Sequence, residues 1–209
     1  MTLRRTALSA VAVAAALLMA GCGGDGDASD EPDTSDQAGE ATGSIADLAD
    51  DLCSMVDTAT IEEQFGEAVE DAQGGLEQEE RESVSCSYVT ESQMASDIED
   101  IDKALAVGTT VRTASSGALE PQDALDEYFV DADGETVAYT PIDGLGVVAG
   151  YADRSLDVRL ISENHLVAIL ELGDGEFVEV ITTSSPEGTQ EQLRPIADQL
   201  VPAVESRLR

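Results

Sequence analysis

The sequence predicts an α+β domain: a mostly antiparallel β-sheet with helices packed on one face, and helices flanking it at the N-terminal and C-terminal ends. Two observations carry this. The back half is a succession of short apolar stretches, with Asp174-Gly175 between the last two as a strong hairpin signal. Both ends of the region 44–209 carry apolar residues at helical spacing. No convincing internal repeat is present.

In chain order, Arg4 and Arg5 form a positive n-region and Ala7–Ala20 an uncharged apolar h-region. Fourteen residues span only ~21 Å as a helix, against a ~30 Å bilayer core. Residues 1–21 therefore read as a signal peptide. The following stretch, 22–43, holds no large apolar side chain after Cys22 and is expected to be a disordered acidic tether. At 5–6 Å × √n it reaches ~25 Å on average.

Residues 44–209 are expected to form a single domain. Ser44 is an N-cap candidate, and Ile45, Leu48, Ala49, Leu52, Cys53 and Val56 fall on one helical face. Thr60 with Glu63 predicts a capping box for a second short helix, with Gly66 after Phe65 as its C-cap. Residues 72–83 read as a polar loop. Val84, Cys86 and Tyr88 alternate with serines, which predicts a strand. "ESQMASDIEDID" reads as an acidic connector with a helical turn using Met94, Ile98 and Ile101.

Leu105 to Thr113 alternate as a strand, and Pro121 suits the first position of a helix through Leu125, Tyr128 and Phe129. Strands are then expected at 136–140, 147–151, 156–161, 166–172 and 177–182. A terminal amphipathic helix uses Leu193, Ile196, Ala197, Leu200, Val201, Val204 and Leu208, with Pro195 and Pro202 expected to shorten or kink it.

Composition sets the compartment and excludes some functions. The chain carries 44 acidic and 10 basic residues, a net charge of −34. Two of the basic residues are Arg4 and Arg5, so without the signal peptide 8 bases face 44 acids, a balance of −36. Such a chain is unsuited to nucleic acid, whose phosphates demand a basic face. Cys53 and Cys86 are an even pair in a chain expected to be secreted, which reads as a disulfide. A catalytic thiol needs a basic neighbourhood, and Asp50, Asp51, Asp57 and Glu82 supply the opposite.

The h-region ends on Met19-Ala20-Gly21-Cys22, which resembles the lipobox of bacterial lipoproteins. That resemblance implies a diacylglyceryl thioether on Cys22, cleavage before it, and long acyl chains such as palmitate in the cell membrane. A lipobox, an acidic linker, "DLCSMVDTATIEEQFG", a "CSY" strand, "IDGLGVVAGY" and a terminal helix together resemble small actinobacterial cell-envelope lipoproteins of the domain-of-unknown-function type. Over residues 45 to 208 the resemblance implies a two-layer fold and a structural Cys53–Cys86 bridge. It implies no activity.

The remaining motifs carry little chemistry. Gly144-Leu-Gly146-Val-Val-Ala149 has the letters of a dinucleotide fingerprint, but Val147, Val148 and Tyr151 continue as a strand where that fingerprint needs a helix. It reads as a tight turn. Asp131-Ala-Asp133-Gly134 opens like a calcium loop, but its twelfth position is Ile142, not an acid, so it too reads as a turn. The acids at Glu67, Glu70, Asp71 and at Asp97, Glu99, Asp100, Asp102 read as solvated faces. His165 is the only histidine and sits where a structural role is expected.

The sequence therefore leads to a lipid-anchored lipoprotein on the extracytoplasmic face of the cell membrane. It is expected to be a binding or accessory module and not an enzyme, with no cofactor and no resident metal. Its partners are the membrane, through the lipid on Cys22, and an envelope protein or small ligand. Divalent-cation (calcium) binding or sensing and a carboxylate-based envelope hydrolase stand as alternatives.

Overall fold

Alternating side chains and turn glycines produce four helices and seven strands among the described residues. The helices are α1 (Thr58–Phe65), α2 (Glu91–Ala95), α3 (Pro121–Tyr128) and α4 (Gln190–Leu208). The strands are β1 (Val69–Gln78), β2 (Ser83–Thr90), β3 (Ala106–Thr113), β4 (Thr140–Pro141), β5 (Val148–Leu156), β6 (Ile161–Gly173) and β7 (Glu176–Ser185). The computed structural model describes residues 43–78, 82–97, 103–115, 117–131, 133–156, 161–173, 175–186 and 188–209. Cys22 and the expected signal peptide and tether lie outside them, apart from Gly43.

The strands form one antiparallel sheet in the order β1-β2-β3-β7-β6-β5-β4. This is the antiparallel α+β class expected, but the helices do not all pack on one face as predicted. Alternation splits its core in two. Leu166, Ala168, Leu170, Val178, Val180, Val107 and Val111 share a cluster with Leu193, Ile196, Leu200 and Val204 of α4 and with Ile45, Leu48, Leu52 and Ile61. This is the main helical layer. The intervening residues Val167, Ile169 and Ile181 form a second cluster with Ala124, Leu125, Tyr128 and Phe129, on and just after α3. Successive strand residues face opposite sides, so α3 covers the other face, over β5, β6 and β7.

The first helix differs from its prediction. Ile45, Leu48, Leu52 and Val56 of its apolar stripe are buried and Ala49 and Cys53 partly so, but the backbone makes two 3-10 turns, Ile45–Leu48 and Leu52–Ser54. The reason lies in where its hydrogen bonds go. In an α-helix the Asp57 amide would donate to the Cys53 carbonyl. Here Asp57 donates to Gln199 Oε1 at 2.8 Å, and the Cys53 carbonyl accepts from the Tyr88 hydroxyl at 3.4 Å. Asp57 then caps α1 by accepting from the Ala59 amide at 3.0 Å. The expected Thr60 cap is displaced, because the Thr60 hydroxyl accepts from Gln199 Nε2 at 2.6 Å. Gly66 ends α1 with φ +74°, as expected of a left-handed C-cap.

Residues 72–78 are not a loop but part of β1, paired with β2 from Val69↔Thr90 to Gln78↔Ser83. An edge strand bonds through its backbone on one side only and tolerates charges and glycines that erase the alternating pattern. Cys53 and Cys86 are joined, with Cα atoms 5.3 Å apart. Gly74 stands opposite Cys86 in the ladder, and a Cβ there would lie 3.1 Å from Cys53 Sγ.

In the acidic connector, Thr90 and Gln93 cap the short α2, and Met94 is exposed. Ile98 and Ile101 lie outside the described residues. The expected 136–140 strand shrinks to a bridge between Val130 and Thr136 and to the two residues of β4. Pro141 has no amide to extend a ladder, which confines it to an edge.

The expected 156–161 strand is instead a junction: Leu156 ends β5, Ile161 begins β6, and the two pair. Period-two apolar spacing alone does not mark that chain reversal. Across the β6–β7 hairpin, Gly173 pairs with Glu176 and Gly175 has φ +76°. The terminal helix is not shortened by its prolines. It runs 19 residues, and its seven-residue apolar stripe is buried as predicted.

Candidate functional site

Among the described residues, two clefts and one buried polar cluster bring together groups capable of chemistry. One cleft sits between α3 and the segment leading into β5, with a volume of about 260 Å³. Its floor is apolar. Ile142 and Leu145 are buried and join the main core, while half-exposed Val147 forms part of the rim. The Asp143–Gly146 turn is held from three sides. The Ile142 amide donates to the Ala149 carbonyl at 2.9 Å, and the Val147 amide to the Ile169 carbonyl at 2.8 Å. Arg194 of α4 donates to the Asp143 and Gly144 carbonyls at 3.1 and 3.4 Å, with its charge answered by Asp198 at 2.6 Å.

Gly144 and Gly146 adopt φ +71° and +59°. The turn predicted for the Gly-Leu-Gly motif is present, and it forms part of the cleft. At Gly146 a side chain would also collide with the Ile169 carbonyl.

Tyr139 is the aromatic wall. Its ring stacks on Phe129 with centroids 4.7 Å apart and planes 21° apart. Gly150 makes room for it, since a Cβ there would lie 2.6 Å from Tyr139 Cδ2 and 3.2 Å from Phe129. The Tyr139 hydroxyl donates to Asp126 Oδ1 at 2.6 Å, and Gln122 Nε2 donates to the Tyr139 oxygen at 2.6 Å and to Asp126 Oδ1 at 2.9 Å. Burial is the largest influence holding the Tyr139 phenol above its ordinary pKa, and the Asp126 hydrogen bond and charge add to it. The hydroxyl is thus a protonated donor at neutral pH. The cleft combines apolar side chains with a phenol, an amide and the carboxylate of Asp143, and the Asp126 carboxylate stands behind the phenol and the amide. These groups can hold and orient a small molecule.

The second cleft has a similar volume, about 260 Å³, and is lined by Phe65, Glu67, Lys103, Leu105, Pro186 and Gln192. It opens where α1 ends and α4 begins. Gln192 Nε2 there donates to the Gln64 carbonyl at 3.0 Å, which ties the two helices together.

The buried polar cluster contains His165, which sits in β6 on the α3 face. The Tyr128 hydroxyl lies 2.7 Å from His165 Nδ1, and Glu163 Oε2 lies 3.3 Å from Nε2. Beside it, Arg112 pairs with Glu179 at 2.5 Å and lies over the Tyr128 ring at 5.3 Å. Tyr128, His165 and Glu179 are all buried. Tyr128 and His165 are joined by a hydrogen bond, but burial withholds both from a substrate. The evident effect of the cluster is to tie α3 to β3, β6 and β7.

Other candidate residues are placed as follows. Asp131 Oδ1 accepts from the amides of Asp133 and Glu135 at 2.9 and 2.8 Å, and Gly134 has φ +82°, which makes this segment a turn. Glu67 Oε2 accepts from the Ser92 amide at 3.3 Å. Of the second acidic group only Asp97 is described. Among the described residues, no group of three or more His, Cys, Asp or Glu side chains is placed to hold a metal ion.

Sequence reasoning missed Tyr139, Gln122 and Asp126. One signal pointed to them: Tyr139 is one of only seven aromatic residues, four Tyr and three Phe, and it closely precedes Pro141 and the Gly-Leu-Gly turn. Comparisons with protein families, curated proteins and solved structures returned no match to this chain.

Proposed function

We propose that this chain is a lipid-anchored extracytoplasmic lipoprotein whose domain is a non-catalytic binding module, with its ligand held in the cleft lined by Tyr139. The observation that carries this reading is the makeup of the cleft. It is a small, half-open hollow in which the polar groups of Gln122, Tyr139 and Asp143 converge beside the apolar side chains of Ile142, Val147 and Val148. It offers no activated nucleophile beside a base. The support for anchoring is the sequence Met19-Ala20-Gly21-Cys22 after a short apolar run. Two or three acyl chains hold firmly where one binds only marginally.

Anchoring predicts that Cys22→Ala releases the protein from the membrane fraction or leaves its precursor uncleaved. Wild-type fractionation and migration of that variant on gels count against it. Binding is read by tyrosine emission, because the chain has no Trp and Tyr139 lines the cleft. Small apolar amines, alcohols and acids are titrated into detergent-solubilised protein. At least one should change the emission of the wild type, and the Val147→Phe variant, which plugs the cleft from its exposed rim, should not respond. Emission that never changes, or changes equally in the variant, overturns the reading.

A further inference from the structure

We propose that the Tyr139 cleft selects an organic cation, a primary amine or small ammonium group carried on an apolar body. This rests on the reading of the cleft as a binding site and adds the class of its ligand. Three observations point the same way.

The first is local charge. Asp143 lines the cleft, and the Asp126 carboxylate is hydrogen-bonded to two of its lining residues, Tyr139 and Gln122. The nearby cation, Arg194, is engaged by two carbonyls and by Asp198 at 2.6 Å. The second is the aromatic wall. A phenol that donates to a carboxylate is more electron-rich than a free one, and electron-rich rings attract cations. The third is the field of the whole chain, whose net charge of −34 concentrates cations at its surface and repels anions. The apolar part of the ligand would rest on Leu125, Val147 and Leu145, and the volume of about 260 Å³ sets its size at a single ring or a short chain.

The test uses detergent-solubilised full-length protein and three probes of nearly equal shape: 2-phenylethylammonium, 2-phenylethanol and 3-phenylpropanoate. Affinities are measured by equilibrium dialysis at fixed ionic strength. The ammonium should bind about tenfold tighter than the alcohol, with the carboxylate weakest. Asp126→Asn with Asp143→Asn should bring the ammonium down to the level of the alcohol. An Asn at 126 still accepts from Tyr139, so the wall stays in place.

The control removes as much charge from β1, at the opposite edge of the sheet from β4. Glu70→Gln with Asp71→Asn should leave ammonium affinity within about twofold, as expected of screened, distant charges. Equal binding of all three probes, or tightest binding of the carboxylate, overturns the cation class while leaving the cleft a binding site. Equal losses in the two double variants replace the site with diffuse surface attraction. No binding of any probe overturns both the class and the site.

Discussion

Arg112 and Glu179 face each other across β3 and β7, and Glu179 is almost wholly buried. Removing one member of such a pair costs more than the pair itself contributes, because a buried carboxylate then loses its guanidinium. Arg112→Leu should therefore destabilise the domain by about 3 kcal/mol, at the bottom of the range for broken buried pairs because Arg112 is partly exposed. Arg112→Leu with Glu179→Leu should recover most of the loss. Urea unfolding of the wild type and the two variants checks this, and a double variant no better than the single one refutes it. Residue by residue, the sequence was uneven. Cys53 and Cys86 were legible as a pair, because compartment and parity constrain cysteines strongly. The partners of His165 were not, since Tyr128 lies 37 positions away and no local pattern joins them.

Helix α4 shows how an element follows its buried stripe rather than its local propensities. Leu193, Ile196, Ala197, Leu200, Val201, Val204 and Leu208 are all buried, and the helix continues through Pro195 and Pro202. A proline inside a helix forfeits a backbone hydrogen bond and crowds the preceding turn. Pro202 is exposed, so replacing it removes little packing. Pro202→Ala should stabilise the domain by about 1–3 kcal/mol. Thermal melting reads this directly, and a lower melting temperature would contradict a continuous helix. The same primacy of packing explains which elements the sequence disclosed. Strands β2, β3, β6 and β7 and helices α3 and α4 bury one face or both, and burial writes period into sequence. Strand β1 and the 136–141 segment lie at the sheet edges, where the backbone ladder asks nothing periodic of the side chains. The Tyr139 cleft was hidden for a related reason: it is assembled from that aperiodic edge segment and from α3, which only the fold brings together.

The whole molecule folds against its own charge. With a net −34, repulsion among surface carboxylates opposes the compact state, and salt weakens that repulsion over a Debye length of about 8 Å near physiological strength. The melting temperature should therefore rise between low and physiological NaCl, as scanning calorimetry can record. A melting temperature that falls over that interval would show that attractive pairs such as Arg194–Asp198 outweigh the repulsion. Salt acts on the whole surface, but a pull through the chain enters at one point. The Gly43 amide lies 3.5 Å from the Leu208 carbonyl, and Ile45 and Leu208 are buried in the same cluster. The beginning and the end of the domain thus share one corner. Tension arriving along residues before Gly43 would bear first on the Gly43–Leu208 contact at that corner, and then on the opening turns, whose Cys53–Cys86 bridge would pass the pull directly into β2.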